Sequence, residues 1–152
     1  MEVSGKCHCG RITYKAVVDP STARVCHCSD CQSQSGTAYR ANVTANASDF
    51  FLIDGKPTLY MRTADSGKKR VQAFCPTCGS PLYAHAQIDP QTYTLRINSL
   101  DQRAELAPVK QVWCKSSVVW SQDLQAVPKL DRQLQVVESV LAKHQIFLRL
   151  AF

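Results

Sequence analysis

Phe74-Cys75-Pro76-Thr77-Cys78-Gly79 is the stretch on which the fold of this chain turns. Two thiols separated by two residues can face one metal ion. The proline sets the turn, and the glycine permits a tight backbone just after the second ligand. Backbone N–H groups of such a knuckle point at the sulfurs and offset their negative charge. A lone Cys-x-x-Cys also fits a thioredoxin-like redox pair, but that motif belongs beside a βαβ unit, which the flanking residues do not suggest. Two more clusters lie outward from it, Cys7-His8-Cys9 and Cys26-His27-Cys28-Ser29-Asp30-Cys31, so seven of the eight cysteines are grouped and only Cys114 stands alone.

The clusters divide unequally. Cys7 and Cys9, two apart on an extended segment, point the same way while His8 turns aside. Joined to Cys75 and Cys78 they make four thiolates, enough to close a structural zinc site and to staple the first strand to the later sheet. Such a bond is folding free energy. Cys26, Cys28 and Cys31 form a tripod with one coordination position left for water or substrate. Ser29 or Asp30 can start a helical turn, which puts Cys31 near the positive end of a helix dipole, where thiolates are favoured. His27 is expected to point away from its neighbours. Cys114 admits two readings: folded back on the tripod it closes the second site, and as an isolated buried thiol, the expected case, it leaves that site open.

The length fits one domain, and 45% apolar with 20% charged residues argues against disorder. Met1 to Lys6 carries no apolar stretch, so no signal peptide is expected, and no apolar run reaches the length of a membrane span. The expected compartment is the cytoplasm, where thiols stay reduced and metal is favoured over disulfides. Seven thiolates and two dications bring the formal +6 to about +3. A mild surplus suits an anionic small substrate. Nucleic acid is disfavoured, because no long Lys/Arg patch with interleaved aromatics is present.

Period-two alternation runs through the first two thirds. Ile12, Tyr14, Ala16 and Val18 share one face of a half-buried strand over 11–18. Similar runs occur at 38–43, 50–53, 58–62, 70–74, 92–98 and 109–115. Asp19-Pro20, Asp54-Gly55, Ser66-Gly67, Gly79-Ser80-Pro81 and Asp89-Pro90 read as turns between them. Short strands with such punctuation predict a mainly β, antiparallel domain over 1–127. After Pro128, Leu134, Val137, Leu141, His144, Leu148 and Ala151 step by three and four, which predicts an amphipathic helical extension over 128–152. It would pack on the sheet as a lid or pair two subunits into a homodimer.

Three motifs together resemble the glutathione-dependent formaldehyde-activating enzyme family, which also includes centromere protein V. They are Gly5-Lys6-Cys7-His8-Cys9-Gly10, Cys26-His27-Cys28-Ser29-Asp30-Cys31 with Gly36, and Phe74-Cys75-Pro76-Thr77-Cys78-Gly79-Ser80. Phe51-Leu52-Ile53-Asp54-Gly55, Ser99-Leu100-Asp101 and Trp120 extend the likeness from about Gly5 to Trp120. The resemblance implies a zinc-binding β-tent fold of two sheets and two zinc ions. It matches Cys7, Cys9, Cys75 and Cys78 to the structural ion, and Cys26, Cys28 and Cys31 to the catalytic one. It also implies a carbon–sulfur lyase chemistry joining glutathione and formaldehyde as S-hydroxymethylglutathione. Members often carry a Pro-x-x-His where this chain has Pro108-Val109-Lys110-Gln111, and the helical extension lies beyond the shared motifs.

On this reading a thiol such as that of glutathione binds at the open position and attacks an aldehyde. Its carboxylates would be met by Arg40, Arg62, Lys68, Lys69 or Arg70, although each of these alone reads as surface charge. His27 and His85 are candidate bases by residue type only. The absence of an evident acid–base pair, with the appended helix, motivates a rival reading: a non-catalytic zinc-stabilised module that holds a protein partner.

Overall fold

The computed structural model describes residues 1–64 and 67–132, and the chain divides into two compact units, Met1–Ser121 and Gln122–Phe152. In the first unit the described residues form eight strands: β1 (Glu2–Lys6), β2 (Thr13–Cys26), β3 (Arg40–Asp54), β4 (Thr58–Thr63), β5 (Lys69–Phe74), β6 (Pro81–Ala86), β7 (Thr92–Arg96) and β8 (Lys110–Val112). The seven alternating segments fall in six of them, 38–43 and 50–53 together in β3, while β1 and β6 were not expected. Among the described residues one α-helix, α1 (Ser29–Ser35), joins β2 to β3. The described part of the second unit, 122–132, contains only turns, bends and irregular backbone. The expected helix over 128–152, with its proposed dimer contact and His144, falls almost wholly outside the described residues.

Hydrogen bonds link the strands in the order β1-β2-β3-β7-β6-β5-β4, every pair antiparallel, while β8 lies parallel to β2 with Val112 opposite Cys26. The expectation of two sheets is thereby corrected to one continuous sheet. Its long strands, β2 and β3, carry register shifts between Ala16 and Val18 and between Asp19 and Arg24. Such irregularities bend a strand and increase its twist, so one sheet can provide two walls. The Asp19-Pro20 pair, expected to end a strand, lies inside β2 instead. Asp19 accepts hydrogen bonds from the Ser21 amide at 2.9 Å and hydroxyl at 2.8 Å. The surplus residues are absorbed as a bulge, where proline is tolerated.

The two faces of this sheet differ in chemistry. Ile12, Tyr14, Ala16 and Val18 are all buried as the alternation requires, and they pack with Val43, Ala73, Tyr83 and Leu95 in the apolar core. Phe50 stacks on Tyr93 at 4.3 Å and meets Tyr83 edge-on at 4.8 Å. β6 gave no sequence signal because Leu82, Tyr83 and Ala84 are buried in succession, which erases alternation. On the other face the register aligns Arg24 with Asn42 and Asn42 with Arg96, and it sets Cys26 beside Arg40. That polar face holds the second cysteine cluster.

Gly55 closes the tight link after β3 at φ +79°, where a Cβ would stand 2.2 Å from the Arg11 carbonyl oxygen. Gly55→Ala is therefore expected to lower stability by about 1–3 kcal/mol, read as an earlier denaturant midpoint. An unchanged midpoint would show that this close approach is not a constraint.

Candidate functional site

Two knuckles meet at the first centre. At the N-terminal one, Cys7 accepts from Gly10 through its carbonyl and donates its amide to the Ile12 carbonyl, both at 3.0 Å. The Ile12 amide also lies 3.3 Å from the Cys7 sulfur. At the later one, the Gly79 amide donates to the Cys75 carbonyl at 2.9 Å and the Cys75 amide to the Ser80 carbonyl at 3.0 Å. Gly10 and Gly79 both take positive φ, 77° and 71°, just after the second cysteine of each knuckle. The His8 amide donates to Ser80 Oγ at 3.0 Å and ties the two loops together. The sulfurs of Cys7, Cys9, Cys75 and Cys78 all converge within 4.8 Å of one another.

The second centre is built on one turn. β2 ends at Cys26, and Cys28 caps α1 in extended conformation, its sulfur accepting from the Cys31 amide at 3.4 Å. Gly36, at φ 65°, ends the helix with its amide on the Gln32 carbonyl. The short helix expected from Ser29 or Asp30 is thus present, with Cys31 in its first turn. The sulfurs of Cys26, Cys28 and Cys31 lie within 4.8 Å of one another, and no fourth His, Cys, Asp or Glu joins them among the described residues. Cys114 starts a 3₁₀ turn and is exposed. It does not join the tripod, but the expectation that it is buried is wrong: its turn follows β8 on the surface.

All eight cysteines are free thiols. A tetrahedral zinc ion with Zn–S bonds of about 2.3 Å spaces its sulfurs about 3.8 Å apart. Cys7 and Cys9 are 3.5 Å apart, Cys9 and Cys75 3.7 Å, and Cys26 and Cys28 3.5 Å, far beyond a disulfide bond and close to that spacing. Either group can therefore hold such an ion. The electrostatics agree with the donor set. Cys26 is drawn down to about 5 because Cys31 donates to its sulfur and the Cys28 amide assists, against the effect of burial. Cys31 is pushed up by the same hydrogen bond and by the charge of its neighbours. Three adjacent thiols cannot all ionise unaided, and a dication removes that obstacle. Cys78 falls to about 5 through the Ser80 hydroxyl and amide.

His27 is 3% exposed and turned from the sulfurs, as expected, with Nε2 2.8 Å from Gln111 Oε1 and its ring edge-on to Tyr39. Gln111, the residue at which the sequence departs from the Pro-x-x-His pattern, is thus hydrogen-bonded to His27. His85 stacks between Tyr83 and Tyr93 on the opposite, apolar face and donates from Nδ1 to the Ala86 carbonyl at 2.7 Å. Of the basic candidates, Lys68 and Lys69 are exposed, Arg62 pairs with Asp30, and Arg70 is half-buried. Arg40 is only 5% exposed, so its reading as surface charge is corrected. Arg96, 6% exposed, was not anticipated at all. The clue was the strand pattern Thr92, Thr94, Arg96, which places it on the face of Arg40.

Residues 2–116 match the model of the glutathione-dependent formaldehyde-activating enzyme family. A crystal structure of a Rhodobacter sphaeroides protein is similar in fold, with a TM-score of 0.56 and 24% sequence identity over 71% of this chain and 98% of that one. A search of curated proteins finds no match. No helix among the described residues is long and apolar enough to cross a membrane.

Gln111→Leu would leave His27 Nε2 buried without its acceptor, at an expected cost of about 1–3 kcal/mol in chemical unfolding. Equal stability of variant and parent would mean that this hydrogen bond does not hold the ring.

Proposed function

The chain belongs to the glutathione-dependent formaldehyde-activating enzyme family, and from that membership we propose that it joins glutathione, or a related thiol, to formaldehyde or another small aldehyde. The sulfur attacks the carbonyl carbon, and the carbonyl oxygen gains a proton to become the hydroxyl of an S-hydroxymethyl product. The reverse step is the carbon–sulfur lyase reaction. The observation that carries this reading is the unequal division of sulfur, four thiols in one cluster and three in the other. We assign Cys7, Cys9, Cys75 and Cys78 to a structural zinc ion and Cys26, Cys28 and Cys31 to a second, catalytic one.

Zinc bound by three thiolates supplies a soft Lewis acid that favours an added thiol in its thiolate form. The remaining roles belong to the chain. Cys28, as the cap of α1, fixes the spacing of the tripod. Burial lowers the pKa of Arg40, and the charges of Cys31, Cys28 and Cys26 offset part of that effect, which supports a role for Arg40 as the positive charge beside an anionic sulfur. His27 is held by Gln111 and His85 lies across the sheet, so neither is assigned as a base, and the thiol proton is given up to solvent. The protein-binding alternative draws on one observation, the exposed apolar side chains of Phe51, Ile53, Leu59 and Met61 on β3 and β4. These would suit a partner surface.

Zinc-loaded protein mixed with glutathione and formaldehyde is expected to form adduct faster than the spontaneous reaction, followed by NMR. Cys28→Ser is expected to abolish that acceleration while one tightly held zinc remains by elemental analysis. A parent protein no faster than the buffer would remove the enzymatic reading and leave the binding module.

A further inference from the structure

The polar face of the sheet carries two buried guanidinium groups that, among the described residues, pair with no carboxylate. Arg40 and Arg96 come from β3 and β7 and sit on the same face through Asn42, which is paired with Arg96 in register and lies two residues from Arg40. Arg96 donates to Asn42 Oδ1 and Gln72 Oε1, both at 2.5 Å, and Arg40 donates to Gln34 Oε1 at 3.3 Å. All three acceptors are neutral amides. Arg40 Nε, one Arg40 terminal nitrogen and Arg96 Nε are buried with no acceptor among the described residues. Among the described residues the two ion pairs involve Lys6 with Asp101 and Arg62 with Asp30, so neither buried arginine meets a carboxylate.

Buried donors without partners are rare, and a buried charge without a counter-charge is costly. Arg96 shows that cost: burial lowers its pKa to about 9, and the Arg40 charge adds to the effect. The tripod supplies part of the balance for Arg40 but does not saturate it. Three thiolates and one dication sum to a single negative charge, against two guanidinium groups. Both arginines line a cavity of about 810 Å³ whose wall also includes Lys6, Arg103 and Trp120. No acid other than Asp101 lines it, and Asp101 is engaged by Lys6. The tripod sulfurs themselves lie outside this wall, and Arg40 connects the two places, lining the cavity while responding to Cys31, Cys28 and Cys26.

We propose that Arg40 and Arg96 form a carboxylate-binding subsite that holds the acidic end of a thiol substrate beside the cysteine tripod. A guanidinium presents two parallel N–H donors to a carboxylate, and a neutral thiol has nothing to offer them. The subsite therefore selects for thiols that carry carboxylates. This deepens the proposed function and rests on it for the thiol, although the anion site itself does not require catalysis.

Isothermal titration of the zinc-loaded full chain separates the two ideas with three probes: glutathione, its diethyl ester and S-methylglutathione. Glutathione should bind at least about tenfold more tightly than the ester. S-methylglutathione, whose thiol is blocked, should keep salt-dependent binding that Arg96→Gln and Arg40→Gln each weaken about tenfold, with Arg96→Lys intermediate. The ester's affinity should be the same in parent and variants. Equal affinity of parent protein for glutathione and its ester overturns the subsite, and this comparison needs no variant to fold. Inorganic phosphate that binds more tightly than S-methylglutathione and displaces it overturns the carboxylate assignment. Equal binding of glutathione and S-methylglutathione, both tighter than the ester, supports the subsite while removing the thiol site from the proposed function.

Discussion

The approach of Cys9 to Cys75, 3.7 Å between sulfurs from opposite ends of the sheet, is the contact on which the rest of the structure depends. β1 and the start of β2 lie at one edge of the sheet order, and the Cys75 knuckle follows β5 near the other. No hydrogen-bonded ladder joins those two regions directly, so the loops carrying the thiols must close the gap. Four thiols in contact repel as thiolates and gain little as neutral groups. A shared dication would turn that arrangement into a cross-link, and its binding energy would enter the stability of the fold.

That constraint also shapes the second centre. Once the sheet closes, β2 is held so that Cys26 faces Arg40 on β3 and Val112 on β8. The α1 cap then fixes Cys28 and Cys31 with local hydrogen bonds alone. The first centre is long-range, with Cys7 and Cys75 each 1% exposed and Cys9 at the surface. The second is short-range, with Cys28 and Cys31 half-exposed. The proposed division of roles rests on this difference: a cluster built from one turn beside a buried cationic face for ligand exchange, and one that ties the sheet together for structure.

The sequence was most informative where spacing alone determines geometry. The cysteine triad and the two cysteine pairs converge as expected, and Ile12, Tyr14, Ala16 and Val18 are buried as their alternation requires. It was least informative where burial depends on distant strands. β6 hid because both of its faces are covered, and β2 ran through Asp19-Pro20 because a bulge took up the turn residues. Arg40 read as a surface charge because a polar residue on an alternating strand ordinarily faces water. Its neighbours Asn42, Gln72 and Arg96 come from three strands, and only the register brings them together. The role of Gln111 was hidden for the same reason, since His27 lies far from it along the chain.

Graded chelation monitored by native mass spectrometry tests the central claim most directly. The account predicts two zinc ions per chain with distinct behaviour: one removed by mild chelator while the fold persists, the other lost only as the sheet unfolds. A chain that carries no metal when isolated under reducing conditions, yet folds and melts as it does after zinc is added, would contradict it.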